Sequence, residues 1–308
     1  MSANNKSSSQ DLRLSVQKRL AKIDKNRIRN WFASASRGET PERLVREILN
    51  VIIKCIGISS LPIAQHRLYR CRPWNSDNPL PTQLSKLLAP PIECTVRNRC
   101  NLDKNPTLYV SVHPGVLANE CHVKPNEKYI ILQFERMTDV EDLGCVLLGM
   151  EPVVEFDNDP HLIEMENYKK RFYGKHYKKI KLIETLLHRE FVRVDDPTGL
   201  TYRITSNLVD LIFGKAIHVD GICYPSIASN GSVNNLALKP NSIFKAYKPV
   251  KAGLYQLSND GTSIQLDGAV VKKDEITWGE TVEVDNPVPV RIKSVNPDDS
   301  SIYIAPWR

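Results

Sequence analysis

Arg97-Asn98-Arg99-Cys100-Asn101-Leu102-Asp103-Lys104-Asn105-Pro106-Thr107-Leu108-Tyr109-Val110-Ser111, continuing through Ala118-Asn119 to Glu120, is the stretch on which the reading of this chain turns. Its first part is polar and turn-rich, and Pro106 closes it. Leu108 to Val112 then reads as a short strand, and a helical turn after Pro114 carries Glu120. A guanidinium, a phenol, a hydroxyl and a carboxylate therefore lie within a short contour. Mixed polar loops are common, so the cluster gains meaning only with two distant segments, Leu68-Tyr69-Arg70-Cys71-Arg72 and Asp220-Gly221-Ile222-Cys223-Tyr224-Pro225-Ser226.

Outward from that stretch, His66 to Trp74 reads as a strand whose alternation places Arg70 and Arg72 on one face. The proline-rich residues 73–93 read as a loop or lid. Lys128 to Glu135 is a continuous apolar run suited to a buried strand. Thr138 to Leu148 reads as a short helix, and Pro152 to Phe156 as a further strand. Residues 160–189 are helical with a break at Gly174. A strand over Glu190 to Val194, a turn at Asp195-Asp196-Pro197-Thr198-Gly199 and a helix through Tyr202, Leu208 and Ile212, ending at Gly214, complete the centre.

At the N-terminus, residues 1–10 are Ser- and Asn-rich without an apolar centre, which predicts a disordered tail and not a secretory signal. From Asp11 to Phe32 the apolar positions Leu12, Val16, Leu20, Ile23 and Trp31 recur at helical spacing among basic residues. Thr40-Pro41-Glu42 then caps a second, buried helix through Ile53 that ends near Gly57. These elements predict an N-terminal helical region over 11–62, a candidate oligomer contact. Beyond about residue 241 the texture changes to short β-like runs reaching Ile302-Tyr303-Ile304, with Asn259-Asp260-Gly261 as a hairpin turn. Residues 246–308 read as a small β-rich extension.

The 308 residues can bury a substantial core, and 41% hydrophobic with 25% charged residues is ordinary for a soluble globular protein. No apolar run approaches the roughly 20 residues of a membrane span. Seven scattered cysteines, an odd count, argue against a disulfide framework and point to a reducing cytoplasm. The net charge of +7 suits nucleic acid or a polyanionic small molecule alike. Basic residues from Lys169 to Lys181 interleave with Tyr168, Tyr173 and Tyr177, a composition that can bind nucleic acid. No recognition motif accompanies them, so a solvated helix face is the expectation.

The three segments together resemble the RES domain, a family named for an Arg, a Glu and a Ser. Tyr69-Arg70 matches its first Arg after a strand-like Tyr. Arg99 and Asn101 match its Gly-Arg-x-Asn loop, and Leu108, Tyr109 and Ser111 match its Leu-Tyr-x-Ser strand. Glu120 falls at the family Glu, preceded by the small Ala118. Asp220 to Ser226 and Asn235-Leu236-Ala237 match the segment carrying its Ser. Asn98 stands where the family has Gly, and the usual Pro-Gly after the Asn is missing. The resemblance spans roughly residues 66–240. It implies an α+β protein with an ADP-ribosyltransferase-like catalytic domain over 63–245, made of short mixed strands with helices. It also implies an enzyme that cleaves the nicotinamide–ribose bond of NAD. Members resemble toxins or defence effectors that deplete NAD by hydrolysis or phosphorolysis, and others transfer ADP-ribose to a protein. An antitoxin or other regulatory protein is the partner this implies.

The residue types lead to similar chemistry if the segments converge. Two arginines, Arg70 and Arg99, suit a diphosphate through bidentate, charge-assisted hydrogen bonds. The Tyr109 ring can stack on a heteroaromatic base. Glu120 beside a sugar carbon can stabilise an oxocarbenium-like transition state or orient a water. Ser226 could hold a carboxamide or a ribose hydroxyl. Phosphates, ribose and a positively charged leaving base describe NAD, the substrate, with no further cofactor expected. Glu120, Arg70 and Ser226 are the catalytic candidates; Arg70, Arg99, Asn101, Tyr109, Ser111, Ser226 and Asn235 are the NAD-binding candidates. Zinc at Cys94, Cys100, His113, Cys121 and His122 lacks paired Cys-x-x-Cys spacing. Ser226 lacks a hydrolase nucleophile elbow, and neither a Walker loop nor a dinucleotide-binding glycine fingerprint is present.

Overall fold

The computed structural model describes residues 3–56, 60–149, 160–194, 199–229 and 233–279. They fall into two compact units, one within Met1–Ser59, Arg97–Asn101 and Leu148–Ala216, the other within Ser60–Val96, Leu102–Leu147 and Ile217–Arg308. The chain is α+β, with the helices concentrated in the first unit and one mixed sheet in the second. Among the described residues no helix is long and apolar enough to cross a membrane.

The first unit is built from α1 (Ala3–Ala21), α2 (Lys25–Ser36), α3 (Glu42–Ile56), α5 (Pro160–Tyr173), α6 (Tyr177–Phe191) and α7 (Arg203–Lys215); α4 is the short helix Leu117–Glu120 of the second unit. The helix expected over 11–32 is two helices. Asp24 divides them: its carboxylate accepts the Arg27 N–H at 3.0 Å, an N-cap that starts α2 afresh. α1 begins at Ala3, so it takes in most of the stretch assigned to a tail. Pro41 does open α3, its carbonyl accepting from the Leu44 and Val45 amides at 3.0 Å each, and the buried stripe is Val45, Leu49, Ile52 and Ile53. Gly57 lies outside the described residues. Gly174, at φ +54°, makes the expected break between α5 and α6. The strand expected over 190–194 is not formed. Ile180, Ile183, Leu187 and Phe191 are buried at helical spacing, so Glu190 and Phe191 complete the last turn of α6. Helix α7 passes Gly214 and ends one residue later. The strand expected at 152–156 and most of the 195–199 turn lie outside the described residues.

Among its described residues the second unit carries ten strands: β1 (Ser60–Ile63), β2 (Arg67–Trp74), β3 (Leu108–Ser111), β4 (Lys128–Arg136), β5 (Leu143–Leu147), β6 (Gly221–Pro225), β7 (Asn234–Leu238), β8 (Tyr247–Leu257), β9 (Ser263–Lys272) and β10 (Glu275–Trp278). Their order is β1-β5-β6-β7-β3-β2-β4-β8-β9-β10, antiparallel throughout except for the parallel pair β5–β6. The helix expected over 138–148 is a correction: Asp139 adopts φ +58°, which stops a right-handed helix, and Leu143 to Leu147 pairs with β1 and β6. The described part of the C-terminal run is β-rich, and its strands β8, β9 and β10 continue the same sheet. Strand β4 is buried on both faces and needs a neighbour along each edge; β2 supplies one and β8 the other. The Asn259-Asp260-Gly261 hairpin joins β8 to β9 as expected, with Gly261 at φ +82°. The run at 302–304 lies outside the described residues.

Alternation along the strands separates two apolar clusters. Leu68, Leu108, Val110, Ile130, Leu132, Leu236 and Leu238 belong to one face. Tyr69, Cys71, Tyr129, Ile131, Tyr255 and Leu257 belong to the other, packed with Leu117 and Ala118 of α4. The sheet is least closed between β2 and β3, which pair at a single position, Tyr69 opposite Ser111.

Candidate functional site

In the second unit the chain first has to hold Glu120 still. His113 accepts the Gly115 N–H on its Nδ1 at 3.0 Å and so starts the turn that leads into α4. Leu117 and Ala118 are anchored in the apolar cluster with Tyr69 and Tyr129. The helix is closed by the Cys121 amide on the Leu117 carbonyl (3.0 Å) and by Val123 on Ala118 (2.9 Å), with His122 at φ +53°. Glu120, the last residue of α4, is thereby fixed against the loop after β6.

Ser226 Oγ donates a hydrogen bond to Glu120 Oε1, although the two residues are 106 positions apart. The Ala228 amide donates to the same oxygen at 3.3 Å. Ser226 is fully buried, and its own loop is tied by Ser226 N–H to the Val233 carbonyl (2.8 Å), Ser229 N–H to Ser226 Oγ (3.3 Å) and Val233 N–H to Ser229 Oγ (2.9 Å). Glu120 Oε2 makes no hydrogen bond to the described residues.

Arg70 bridges the loosely paired edges of β2 and β3. Its Nε donates to the Leu87 carbonyl at 2.8 Å and its Nη1 to the Tyr109 carbonyl at 2.9 Å. Nη2 carries no hydrogen bond to the described residues, and neither Arg70 nor Arg72 has a carboxylate partner among them. Part of the Arg70 side chain remains accessible, but burial of the guanidinium pulls its pKa down, Cys121 opposes that shift and neighbouring Arg72 adds to it.

Cross-strand register assembles a polar row on the face that carries α4. Tyr224 lies opposite Asn235, Asn235 opposite Ser111, Ser111 opposite Tyr69, and Tyr69 opposite Gln133. All five are buried, and Asn235 Oδ1 and Gln133 Oε1 have no hydrogen-bond partner among the described residues. Tyr109 is half-buried on the same face, opposite Ala237. Of the expected residues, Glu120 and Ser226 are thus in direct contact, Ser111 and Asn235 are neighbours, and Arg70 meets the Tyr109 main chain. Gln133 is not singled out by the sequence reading; its one available signal is a lone amide side chain inside the apolar run of β4.

Arg99 and Asn101 belong to the first unit. The Arg99 guanidinium donates to the carbonyls of Phe191 and, at 3.2 Å, Arg193, and lies 5.1 Å from the Tyr202 ring centroid. It caps the carboxyl end of α6, a position where a cation is favoured. The loop itself is a tight reversal closed by Asn98 N–H to the Asn101 carbonyl (3.0 Å) and its reverse (3.3 Å). Asn98 Oδ1 accepts the Arg99 amide at 2.6 Å within that reversal. Arg97 pairs with Glu42. The conspicuous Asp220 and Gly221 are structural: Asp220 accepts from the Gly144 amide (3.0 Å) and Lys245 (2.5 Å), and a Cβ on Gly221 would come within 2.4 Å of Leu238 Cδ2.

Three cations of the basic run on α5 and α6 are engaged within the unit, while Lys170, Arg171, Lys175 and Lys178 are exposed. Lys169 pairs with Glu184 at 2.7 Å, Lys181 with Glu166 at 3.0 Å, Tyr177 donates to Glu166, and Lys179 caps the Leu20 carbonyl at 2.7 Å. In the second unit, Glu120 keeps one unengaged oxygen on the face of the sheet that carries α4, while Arg70, with one unengaged nitrogen, alternates to the face of Leu68 and Leu132. No known protein-family model matches the chain, and no curated protein matches it in sequence.

Proposed function

We propose that this protein consumes NAD, cleaving its nicotinamide–ribose bond by hydrolysis or phosphorolysis on an ADP-ribosyltransferase-like core. The observation that carries the reading is the hydrogen bond from Ser226 to Glu120, which unites two segments far apart in the chain at the residues the chemistry requires. Glu120 faces the cation that develops on ribose as neutral nicotinamide departs, while Ser226 and the Ala228 amide orient its carboxylate. Arg70 meets the diphosphate through Nη2, its other donors being engaged by main-chain carbonyls. Ser111 and Asn235 supply neutral polar contacts to the ribose or carboxamide. Arg99 acts at one remove in this scheme, holding the end of α6.

The test is incubation of the purified chain with NAD, following nicotinamide by chromatography. Release with stoichiometric ADP-ribose, or ADP-ribose 1-phosphate when phosphate is supplied, is the expected result. Label transferred from NAD to a protein, with little free ADP-ribose, would reassign the reaction to ADP-ribosyl transfer. Absence of any nicotinamide release from folded protein would overturn the proposal.

A further inference from the structure

Six of the seven cysteines have an inert or solvent-ordinary setting. Cys55, Cys100, Cys145 and Cys223 are buried, burial raises each thiol, and that of Cys223 is pushed up to about 12. Cys94 is exposed, and Cys71 is buried on β2. Cys121 differs. It is half-buried at the end of α4, its Sγ lies 3.7 Å from the Cys71 carbonyl oxygen, and both residues pack into one cluster with Tyr69 and Tyr129. Burial raises the Cys71 thiol well above its ordinary value. At Cys121 the hydrogen bond from the Cys71 thiol lowers the pKa, burial opposes it, and the Arg70 charge adds to the lowering.

We propose that Cys121 is an oxidisable thiol that peroxide converts to a sulfenic acid and that Cys71 then resolves into an intrachain disulfide. In the first step the Cys121 thiolate attacks one peroxide oxygen; the S–O bond forms, the O–O bond breaks, and hydroxide leaves and takes a proton to become water. Sulfur loses two electrons and hydrogen peroxide gains them. In the second step the Cys71 sulfur attacks the Cys121 sulfur; the S–S bond forms, the S–O bond breaks, and the departing oxygen leaves as water with the Cys71 proton. The proximity of Cys121 to the β2 backbone makes the closure local, since the pair has only to reach an S–S separation of about 2.05 Å.

Closure also moves Glu120. Cys121 follows it directly, and the Cys121 amide is the bond that ends α4 on Leu117. A bond from Cys121 to Cys71 ties the end of α4 to β2 and alters how Glu120 is held against the loop that presents Ser226 and Ala228. Oxidation therefore lowers nicotinamide release, a consequence that rests on the proposed function, whereas the disulfide itself does not.

The experiment treats the full chain with graded hydrogen peroxide, blocks remaining thiols by alkylation and maps the peptides by mass spectrometry. A Cys71–Cys121 linked peptide, lighter by two hydrogens and restored by dithiothreitol, is expected at doses that leave exposed Cys94 alkylatable. Oxidation of Cys94 first, pairing of Cys121 with another cysteine, or direct passage of Cys121 to sulfinic acid would overturn the proposal. Cys71→Ser should leave a sulfenic acid on Cys121 that a dimedone probe captures; a folded variant with no adduct would also overturn it. Nicotinamide release from the same samples separates the two claims, because a disulfide that forms without turnover in either state sinks the NAD reading and leaves the thiol pair standing.

Discussion

Replacing Glu120 by glutamine separates what the carboxylate does for the fold from what it does for the reaction. The side chain keeps its length and an oxygen that can accept from Ser226 Oγ and from the Ala228 amide at 3.3 Å. A hydrogen bond to a charged acceptor contributes about 1.5–3 kcal/mol and a neutral one about 0.5–1.5, so losing the charge costs about 1 kcal/mol per good bond. The Ala228 bond is long and Glu120 is partly exposed, so the whole stability loss should be about 1 kcal/mol. The reaction should lose more. Positive charge on ribose develops only as nicotinamide leaves, and its loss of a facing carboxylate should lower kcat by about two to four decades, roughly 3–5 kcal/mol of barrier. NAD affinity should hardly change, since the ground state presents little of that charge. Arg70→Ala should behave oppositely, raising KM, because the diphosphate is charged throughout. Urea unfolding, steady-state nicotinamide release and calorimetric NAD binding measure the three quantities. A Glu120→Gln variant with unchanged kcat, or with a stability loss as large as its barrier increase, would refute the assignment.

Three further outcomes follow from the surroundings. Arg99→Ala should destabilise the chain by about 3 kcal/mol, because it removes the donors to the Phe191 and Arg193 carbonyls and the contact with Tyr202; Arg99→Lys should not recover it, and an unchanged urea midpoint would remove the helix-capping role. Gly221→Ala should cost about 2–3 kcal/mol or prevent folding, since its Cβ would stand 2.8 Å from the Ala237 carbonyl across the β6–β7 pair; normal expression and melting would contradict that crowding. Glu190 has its carboxyl pKa raised by burial, despite Ser36 Oγ–H donation and nearby Arg193. A raised acid pKa means the folded state binds the proton more tightly, so the penalty is full above the folded value and vanishes below the ordinary value of 4.5. Glu190→Gln should therefore be more stable than the parent near neutrality, with the advantage shrinking as pH falls towards 4.5, and a pH-independent difference in urea midpoints would contradict it.

The parts legible from sequence are those whose pattern is local. Strands β2, β3 and β4 announce themselves by apolar runs bounded by turns, and the break at Gly174 by its need for a positive φ. Strand β5 was hidden because Val140, Leu143 and Leu147 sit at helical spacing, while the partners that make it a strand, β1 and β6, come from remote sequence. The opposite error at Glu190 and Phe191 arose because an apolar pair at the end of a helix looks like the start of a strand. The pairing of β8 with β4 is not legible in sequence, since nothing within residues 247–257 tells that β4 has an unpaired edge. The contact between Ser226 and Glu120, 106 positions apart, is suggested in sequence by motif spacing alone. The capping role of Arg99 could not be read, because it depends on where α6 ends, and that end was misplaced.

The weak seam between β2 and β3 ties the fold to the chemistry. In a closed antiparallel ladder the Tyr109 carbonyl would accept from a β2 amide. Here it accepts from Arg70 Nη1, so a side chain takes the place of a backbone rung and the two strands need meet only at Tyr69 and Ser111. That substitution has an electrostatic consequence. A guanidinium drawn out of water without a carboxylate beside it is held at a cost of several kcal/mol unless an anion compensates it. Leu87 and Tyr109 offer it only neutral carbonyls, and Arg72 adds like charge from the same face of the strand. A bound anion would bring the missing negative charge to Nη2, while α4 carries Glu120 against the other face of β2. On the proposed reading, β2 sets the spacing between Arg70, assigned to the phosphates, and Glu120, assigned to the breaking bond. Lengthening or shifting β2 by a residue would exchange the faces of Arg70 and Cys71 and separate these roles.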